Sequence, residues 1–340
     1  MGYLVSFCIP EHNECNLVLE LVQSLLSNPD PNFQVVVSDN MTDNADPSEV
    51  YRDIQDERFR LYQTREPLSR QEHFLRLLEY GEGKYLYLVM GRDWLDGGKI
   101  GKLLPLLRLA REDHVDLMID RKAAESYKLC HGIDALDRFI MADHPTGLIV
   151  SRAALLASKK RNEYFIPGAL YPEMFLKRDI FATGGKSAMI SSEVFGDIST
   201  RVSLGKRLSG ADPFNDWTNM ENVYFSPKQI LRVFREEVGM VLDDPRFHLT
   251  MAERAAFFER KYQELLWRSV FENKVTVQSE EFMMHYGMRR TYVPLESMFS
   301  NLTSAALNSL KEGYRISLFQ RLRLAKSICA VAERIIRGAY

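Results

Sequence analysis

Short apolar runs alternate with amphipathic segments along about the first 100 residues of the chain. The runs at Leu4–Ile9 and Phe33–Val37 are almost entirely apolar, which is typical of parallel strands buried on both faces of a sheet. A third strand is predicted at Phe59–Tyr62, and a fourth begins at Tyr85 and ends near Asp93. The pattern therefore predicts four strands in this part of the chain.

Amphipathic helices are predicted between these strands. The first follows Asn13, its predicted N-cap, and has one apolar face. The residues on that face are Leu17, Val18, Leu21, Val22 and Leu25. Ser69 is expected to cap a second helix that ends near Tyr80, and a leucine-rich helix follows at Gly97–Arg111. The alternation predicts an α/β fold, in which helices flank a mostly parallel sheet through right-handed crossovers.

Polar residues follow three of the predicted strands. The first strand leads into Pro10-Glu11-His12-Asn13, the second into Ser38-Asp39-Asn40, and the fourth into Gly91-Arg92-Asp93. A single acid in such a place is as often an ordinary solvated loop residue. Because ligands of open α/β sheets bind outside the carboxyl ends of the strands, the three ends together predict one binding site.

Composition narrows the class of protein. The formal net charge of the 340 residues is -2, so no basic field indicates a nucleic-acid partner. The four cysteines lack the spacing of a metal site and are interpreted as reduced thiols. The sequence opens directly on the first strand, so no signal peptide is expected, and no run reaches the ~18 apolar residues of a membrane span. These features predict a cytoplasmic protein.

Three motifs carry a resemblance to a known family. Pro-x-x-Asn occupies residues 10–13, and Val-Val-Val-Ser-Asp-Asn-x-Thr-Asp occupies residues 35–43. Gly-Glu-Gly-Lys-Tyr at residues 81–85 precedes the fourth strand, whose end carries an acid followed by Trp-Leu. The chain resembles a family 2 glycosyltransferase of the GT-A fold, well over about residues 3–100 and more weakly to about 195. A Rossmann dehydrogenase is disfavoured because no Gly-x-Gly-x-x-Gly follows the first strand.

The resemblance implies a nucleotide-sugar donor at the strand ends. Asp39 would meet the nucleotide base, and the loop after the first strand would flank the base and ribose. Asp93 would hold a divalent metal, Mn²⁺ or Mg²⁺, that bridges the donor diphosphate. The donor-binding residues expected from the resemblance are Pro10, Glu11, Asn13, Asp39, Asn40, Arg70, Arg92 and Asp93.

The chain departs from the family pattern at the fourth strand. The family usually has Asp-x-Asp where this chain has Met90-Gly91-Arg92-Asp93, so one carboxylate remains. A hard cation can be held by one carboxylate together with substrate phosphates and water. Alternatively, Arg92 meets the diphosphate directly through its fork of donors, or the activity is weakened. Metal dependence is therefore left open.

The catalytic base is expected near residue 173. Tyr171-Pro172-Glu173 resembles the family segment in which an acid-bearing pair opens a helix, and Glu173 would take the proton of the acceptor hydroxyl. The alternative role for Glu173 is a helix N-terminal acid that complements the macrodipole. The residues expected on the acceptor side are His144, Thr146 and Trp217. Residues Asp143–Gly147, followed by Leu148–Arg152, resemble the family strand that walls that side.

The C-terminal third is predicted to be helical. The expected domains are a GT-A nucleotide-sugar-binding and catalytic domain at 1–200, an active-site loop or linker at 201–225, and a helical region at 226–340. Residues 311–340 hold seven basic and two acidic residues among regularly spaced apolar ones. Such a helix favours docking on anionic lipid at the inner face of the cell membrane. Core packing or a homo-oligomer contact is the alternative.

Together these features predict a glycosyltransferase. It would move a sugar from a nucleotide-sugar donor to a glycan or lipid-linked acceptor, by a single inverting displacement, in polysaccharide or cell-envelope biosynthesis. The alternative is a catalytically weakened subunit that binds a nucleotide-sugar or a glycan. A nucleotidyltransferase is disfavoured, because the sequence offers too few clustered acids for a two-metal site.

Overall fold

Extended runs of apolar residues pair into one mixed sheet of eight strands in the part of the chain that the structure describes. The computed structural model describes residues 2–91, 93–121, 125–131, 135, 139, 145–161, 172–194, 244–248, 250 and 253; the side chains of residues 70, 71 and 172–174 are not described. The chain divides into two compact units, Met1–Gly210 and Ala211–Tyr340. The sheet belongs to the first unit.

The strands are β1 (Val5–Glu11), β2 (Phe33–Asp39), β3 (Phe59–Gln63), β4 (Tyr85–Leu88), β5 (Val115–Asp120), β6 (Tyr127–Cys130), β7 (Leu148–Ser151) and β8 (Lys186–Ile190). The helices are α1 (Cys15–Leu26), α2 (Pro47–Val50), α3 (Arg70–Tyr80), α4 (Ile100–Glu112), α5 (Arg152–Arg161) and α6 (Pro172–Ala182). Short 3₁₀ turns lie at Gly97–Lys99 and Pro245–Phe247.

The strand order is β3-β2-β1-β4-β7-β5-β8-β6. Pairs β1–β2, β1–β4, β2–β3 and β5–β8 are parallel, whereas β7 is antiparallel to both β4 and β5, and β6 is antiparallel to β8. The predicted α/β class with a mostly parallel sheet is confirmed. Strand β6 was not predicted, because it is half-exposed and lacks a continuous apolar run. Helix α5 was not predicted either.

Helices cover both faces of the sheet. In β1, Phe7 and Ile9 point into a core shared with α1 and α4, whereas Cys8 points into a second core shared with α3 and α6. All seven residues of β1 and of β2 are buried, as strands covered on both faces must be. The five residues predicted to face inward from α1 are all buried.

The caps agree with the sequence at one helix and differ at another. Ser69 and Glu72 form a reciprocal capping box at the start of α3, as predicted for Ser69. The prediction that Asn13 caps α1 was wrong: the N-cap is Glu14, without a side-chain cap bond. Asn13 instead adopts φ 60°, and its side-chain oxygen accepts a hydrogen bond from the Asp43 amide. The loop after β2 therefore competes for the side chain that a cap would use.

A glycine closes the turn between α3 and β4. A Cβ at Gly83 would lie 2.5 Å from the Ser6 backbone nitrogen, so only glycine fits there. No helix among the described residues combines the length and the apolar character needed to cross a bilayer. Apart from residues 244–248, 250 and 253, the helical region predicted at 226–340 lies outside the described residues.

Candidate functional site

The first cluster of predicted residues lies at the carboxyl ends of β1 and β2. Both strands are longer than predicted, and Pro10 and Glu11 pair in register with Ser38 and Asp39. Because registered partners of parallel strands share a face, the carboxylates of Glu11 and Asp39 lie side by side, within hydrogen-bonding reach. The exposed fraction of Glu11 is 1% and that of Asp39 is 2%. The structure thus brings two predicted donor residues together beneath the surface.

Thr42 connects both carboxylates to the loop after β2. The Thr42 amide donates to Asp39 Oδ1 at 3.0 Å, and the Thr42 hydroxyl donates to Glu11 Oε1 and Oε2, each at 3.1 Å. Glu11 Oε1 also accepts from the Glu14 amide at 2.8 Å, at the start of α1. Glu11 therefore joins three segments: β1, α1 and residues 40–44, which we call the 40–44 loop.

Burial and a like charge act together on Glu11. The pKa of Glu11 is raised to about 7, mainly by burial and also by the neighbouring Asp39 carboxylate, while the hydrogen bond from the Glu14 amide opposes the increase. The pKa of the neighbouring Cys15 thiol rises to about 12, mainly by burial. Near neutral pH the Glu11–Asp39 pair can therefore hold one proton in addition to the charge of one carboxylate.

Asn13 and Asn40 fix the loops around this pair. The Asn13 amide donates to Thr42 Oγ1 at 2.9 Å, and Asn44 Nδ2 donates to the Asn13 carbonyl at 3.1 Å. Asn40 exchanges two hydrogen bonds with the backbone of Leu68, two residues before α3 begins at Arg70. Their amide groups serve protein contacts, and the backbone of Arg70 is brought to the same end of the sheet.

The solvent-facing surface of this corner comes from other residues. His12 is exposed, and its Nδ1 lies 2.9 Å from the Asn40 carbonyl oxygen. Met41 is 44% exposed and has φ 56°, a left-handed conformation that is rare for a residue with a side chain. Met41 was not predicted as a site residue, since a lone apolar residue in a polar loop gives no sequence signal.

His73 is another residue that the sequence analysis missed. It lies in α3, is 4% exposed, and its Nε2 lies 3.0 Å from the Ser38 hydroxyl of β2. Burial lowers the pKa of His73, so the neutral imidazole is favoured. The polar strand-end residue Ser38 was visible in the sequence, but its partner one helix away was not.

The second cluster lies at the end of β4. Asp93 is 4% exposed, and its Oδ2 accepts a hydrogen bond from the hydroxyl of the fully buried Thr146. That hydroxyl also accepts from the Met90 amide at 2.8 Å, and the Asp93 amide donates to the Met90 carbonyl at 2.9 Å. Asp93 and Thr146 were expected on the donor and acceptor sides respectively, and the structure bonds them to each other.

The described residues at β4 do not fit a metal centre of the usual kind for this fold. A Cβ at Gly91 would lie 2.8 Å from Val18 Cγ2, so the buried Val18 side chain leaves little room for an acidic side chain there. Met90 offers no hard oxygen ligand, and the Asp93 carboxylate is already engaged by Thr146. Throughout the described ranges, no three or more His, Cys, Asp or Glu side chains are grouped to hold an ion.

Asp120 and Arg121, at the end of β5, extend this second cluster. Asp120 is 1% exposed and accepts hydrogen bonds from the Tyr87 hydroxyl and the Ser192 amide, both at 3.0 Å. Arg121 Nη1 donates to the Asp120 carbonyl at 2.9 Å and to the Thr146 carbonyl. A guanidinium thus lies beside the end of β4. The sequence analysis missed both residues, although applying the strand-end rule to β5 would have found them.

Five of the expected residues fall partly or wholly outside the description, among them Arg70, whose side chain is not described. Arg92, His144 and Trp217 lie outside the described residues. Glu173 lies in the first turn of α6, which begins at Pro172 as predicted, but its side chain is not described. The roles assigned to all the site residues stay predictions.

Known proteins share features of this sequence and fold. Residues 6–169, which contain most of β1 and all of β2–β7, match the model of glycosyl transferase family 2. The fold is similar to that of the mannosyltransferase PcManGT from Pyrobaculum calidifontis, in complex with GDP-Man and Mn²⁺ (12% identity, TM-score 0.53, 98% of this chain and 87% of that one).

A second similar structure is S. aureus TarS 1-349 (15% identity, TM-score 0.46, 79% of this chain and 91% of that one). No curated protein gives a significant match. The sheet, its strand-end clusters and the family match define the class: the protein is a glycosyltransferase with the GT-A fold. Within that class, residues 6–169 resemble glycosyl transferase family 2.

Proposed function

We propose that the protein transfers a sugar from a nucleotide-sugar donor, bound at the carboxyl ends of β1, β2 and β4, to a glycan or lipid-linked acceptor. The observation that carries the proposal is the Glu11–Asp39–Thr42 arrangement within the matched family domain. It places two carboxylates and a hydrogen-bonded loop at the end of the sheet where open α/β folds bind ligands. The base and ribose would lie against the 40–44 loop.

The transfer would be a single inverting displacement. Glu173, in the first turn of α6, would take the proton of the acceptor hydroxyl as that oxygen attacks the anomeric carbon. The nucleoside diphosphate would leave from the opposite face. A lone general base is sufficient for this reaction, because no covalent intermediate needs a second nucleophile.

The negative charge of the leaving diphosphate would be met by protein cations. Arg121 lies at the end of β5 and is held by the Thr146 carbonyl, next to the Asp93 carboxylate. Arg92 precedes Asp93 directly in the sequence and is the second candidate. A guanidinium can bind phosphate oxygens in a bidentate geometry.

A panel of donors tests this proposal. Thermal unfolding is measured with UDP-, GDP-, CDP- and dTDP-sugars, UDP-GlcNAc and GDP-mannose among them, each with and without Mn²⁺. A donor that binds should raise the unfolding temperature by mass action, and the same donor should be hydrolysed or transferred. No stabilisation by any nucleotide-sugar would contradict the proposal.

The same panel separates the enzyme from a weakened subunit. The second candidate is favoured by one observation, the engagement of the Asp93 carboxylate by Thr146. A donor that stabilises the protein but is neither hydrolysed nor transferred to glycan or lipid-linked acceptors would identify a binding subunit. Turnover with any acceptor would exclude it.

We also propose that the protein acts in polysaccharide or cell-envelope biosynthesis, at the cytoplasmic face of the membrane. The basic composition of residues 311–340 supports this location, since each basic residue near an anionic surface contributes about 1 kcal/mol. The test compares co-sedimentation of the full chain and of a chain ending at Lys311 with anionic liposomes, at low and high salt. Equal partitioning of the two chains would leave core packing or oligomer contact as the role.

A further inference from the structure

Glu11 has more contacts than a residue that only lines a ligand site would need. Its carboxylate accepts from the Glu14 amide and from the Thr42 hydroxyl, and it lies beside the Asp39 carboxylate. Both of its oxygens already accept hydrogen bonds from protein groups. The geometry therefore indicates that Glu11 acts through its neighbours.

We infer that Glu11 is a positioning residue: a proton shared between Glu11 and Asp39 holds the 40–44 loop closed, and loss of that proton releases the loop. The inference rests on the proposed function in one respect, namely that this loop flanks the donor. Asp39 and Thr42 transmit the effect. Asp39 lies beside Glu11 and accepts a hydrogen bond from the Thr42 amide, and Thr42, which belongs to the loop, donates its hydroxyl to Glu11.

The protonated pair satisfies all the local hydrogen bonds. Protonated Glu11 donates to Asp39, while its oxygens still accept from the Glu14 amide and the Thr42 hydroxyl. Asp39 keeps Oδ1 for the Thr42 amide. One negative charge is then spread over two buried carboxyl groups that share their hydrogen bonds.

The doubly ionised pair does not satisfy all the local hydrogen bonds. Two adjacent carboxylates with almost no exposure repel each other, since screening by water is weak inside the protein. Separating them moves the Asp39 oxygen that accepts from Thr42, so the loop loses its anchor. Burial raises the pKa of Glu11 to about 7, so this change falls within the physiological range.

The other buried ionisable groups around the pair do not account for such a step. Cys15 on α1 and Tyr51 after α2 have pKa values raised by burial and stay protonated. Burial lowers the pKa of His73 on α3, which keeps it neutral over the upper part of the range. The loop residues His12 and Glu14 remain, and His12 contacts the Asn40 carbonyl, so it requires its own control variant.

Hydrogen exchange in the absence of ligand tests the inference. Exchange of the Thr42 and Asp43 amides is measured between pH 6 and 8.5, with rates corrected for the intrinsic pH dependence of exchange. In the wild type, protection should fall by at least about fivefold over this range. In Glu11→Gln, whose amide donates to Asp39 at every pH, protection should stay constant. His12→Gln and the exposed Glu57→Gln are controls that should keep the wild-type step.

Thr42→Val is the second variant, in case Glu11→Gln does not fold. It removes the hydroxyl that links Glu11 to the loop, so protection at Asp43 should be low at pH 6 and change little with pH. A wild-type step that persists in either variant, or no step in the wild type, would overturn the inference.

A binding measurement separates this inference from the proposed function. The dissociation constants of UDP and GDP are measured by calorimetry over the same pH range. Nucleotide binding that weakens above pH 7 in the wild type, and not in Glu11→Gln, supports both proposals. A step in exchange without nucleotide binding at any pH would contradict the proposed function and leave the positioning role standing. Binding whose pH dependence is the same in both proteins would overturn the positioning role.

Discussion

The Thr146 hydroxyl donates a hydrogen bond to the Asp93 carboxylate and accepts one from the Met90 amide. It thereby connects the end of β4 with the start of β7, two antiparallel neighbours in the middle of the sheet. Both Thr146 and Asp93 are buried. The acid that remains of the family's acidic motif is thus used inside the protein, where it positions the chain around the site.

Replacing Thr146 by Val should destabilise the fold. The Met90 amide and the Asp93 carboxylate would each lose this partner, and a buried polar group that loses a hydrogen bond costs about 1–3 kcal/mol. The midpoint of urea unfolding measures the effect. Thr146→Ser is the matched control, since it keeps the hydroxyl and removes only a methyl group, worth about 1 kcal/mol. A Thr146→Val variant as stable as the wild type would show that the hydroxyl contributes nothing.

Donor binding should depend only weakly on a divalent metal. Gly91 leaves little room for an acidic side chain, Asp93 is engaged by Thr146, and Arg121 supplies a positive charge beside them. We expect the affinity for the best nucleotide-sugar of the panel to change less than about tenfold between EDTA and Mn²⁺. Complete loss of activity in EDTA, restored by micromolar Mn²⁺, would show that Asp93 and the donor phosphates form a full metal site.

The stability of the protein should decrease as the pH rises through the range set by Glu11. Its pKa is raised from 4.5 to about 7 in the folded protein, so the folded state holds more protons than the unfolded state between these values. Stability therefore falls with rising pH across this window, by at most about 1.4 kcal/mol per pH unit, and levels off above it.

Glu11→Gln removes this dependence. The free energy of unfolding of the variant, relative to the wild type, should rise from pH 5 to pH 7 and then stay level. Denaturant unfolding at intervals of half a pH unit measures it, with Glu57→Gln as the exposed control. A constant difference between Glu11→Gln and the wild type at every pH would mean that Glu11 ionises normally.

Glu173→Gln tests the general base. The substitution keeps the shape of the side chain and removes its ability to take a proton, so turnover should fall by roughly 10²–10⁴. Donor affinity should stay nearly constant, because the residue is assigned to the acceptor. Initial rates and donor calorimetry on the same preparation separate the two effects. A variant that keeps most of its turnover would assign Glu173 to the helix terminus instead.

Periodicity predicted the elements that apolar residues define. The strand at residues 33–37 was predicted because a continuous apolar run is typical of a strand that is covered on both faces. The inward face of α1 was predicted because its apolar residues recur at helical spacing. The carboxyl ends were less accurate, since Pro10 and Ser38 look like loop residues and nevertheless pair. Their pairing depends on register with a neighbouring strand, which local pattern does not contain.

The candidate site shows the same division. The strand-end pattern predicted that Glu11, Asp39 and Asp93 lie at the carboxyl ends of strands, and the structure places them there. The burial of these acids and their hydrogen bonds could not be predicted, because Thr42 and Thr146, which bond to Glu11 and Asp93, lie in segments distant in sequence. The second cluster forms because β7 lies antiparallel between β4 and β5, and no sequence pattern predicts this insertion.

The most direct test of the account is the effect of Asp39 on donor binding, measured by calorimetry with the nucleotide-sugar that the panel identifies. Loss of a charge-assisted contact costs about 1.5–3 kcal/mol, so the dissociation constant of the donor should rise by at least about tenfold in Asp39→Ala. Asp39→Asn keeps an oxygen for the Thr42 amide and serves as the control for loop structure. The account predicts that both variants bind the donor more weakly than the wild type and that Asp39→Ala is the weaker. Wild-type affinity in both variants would contradict it.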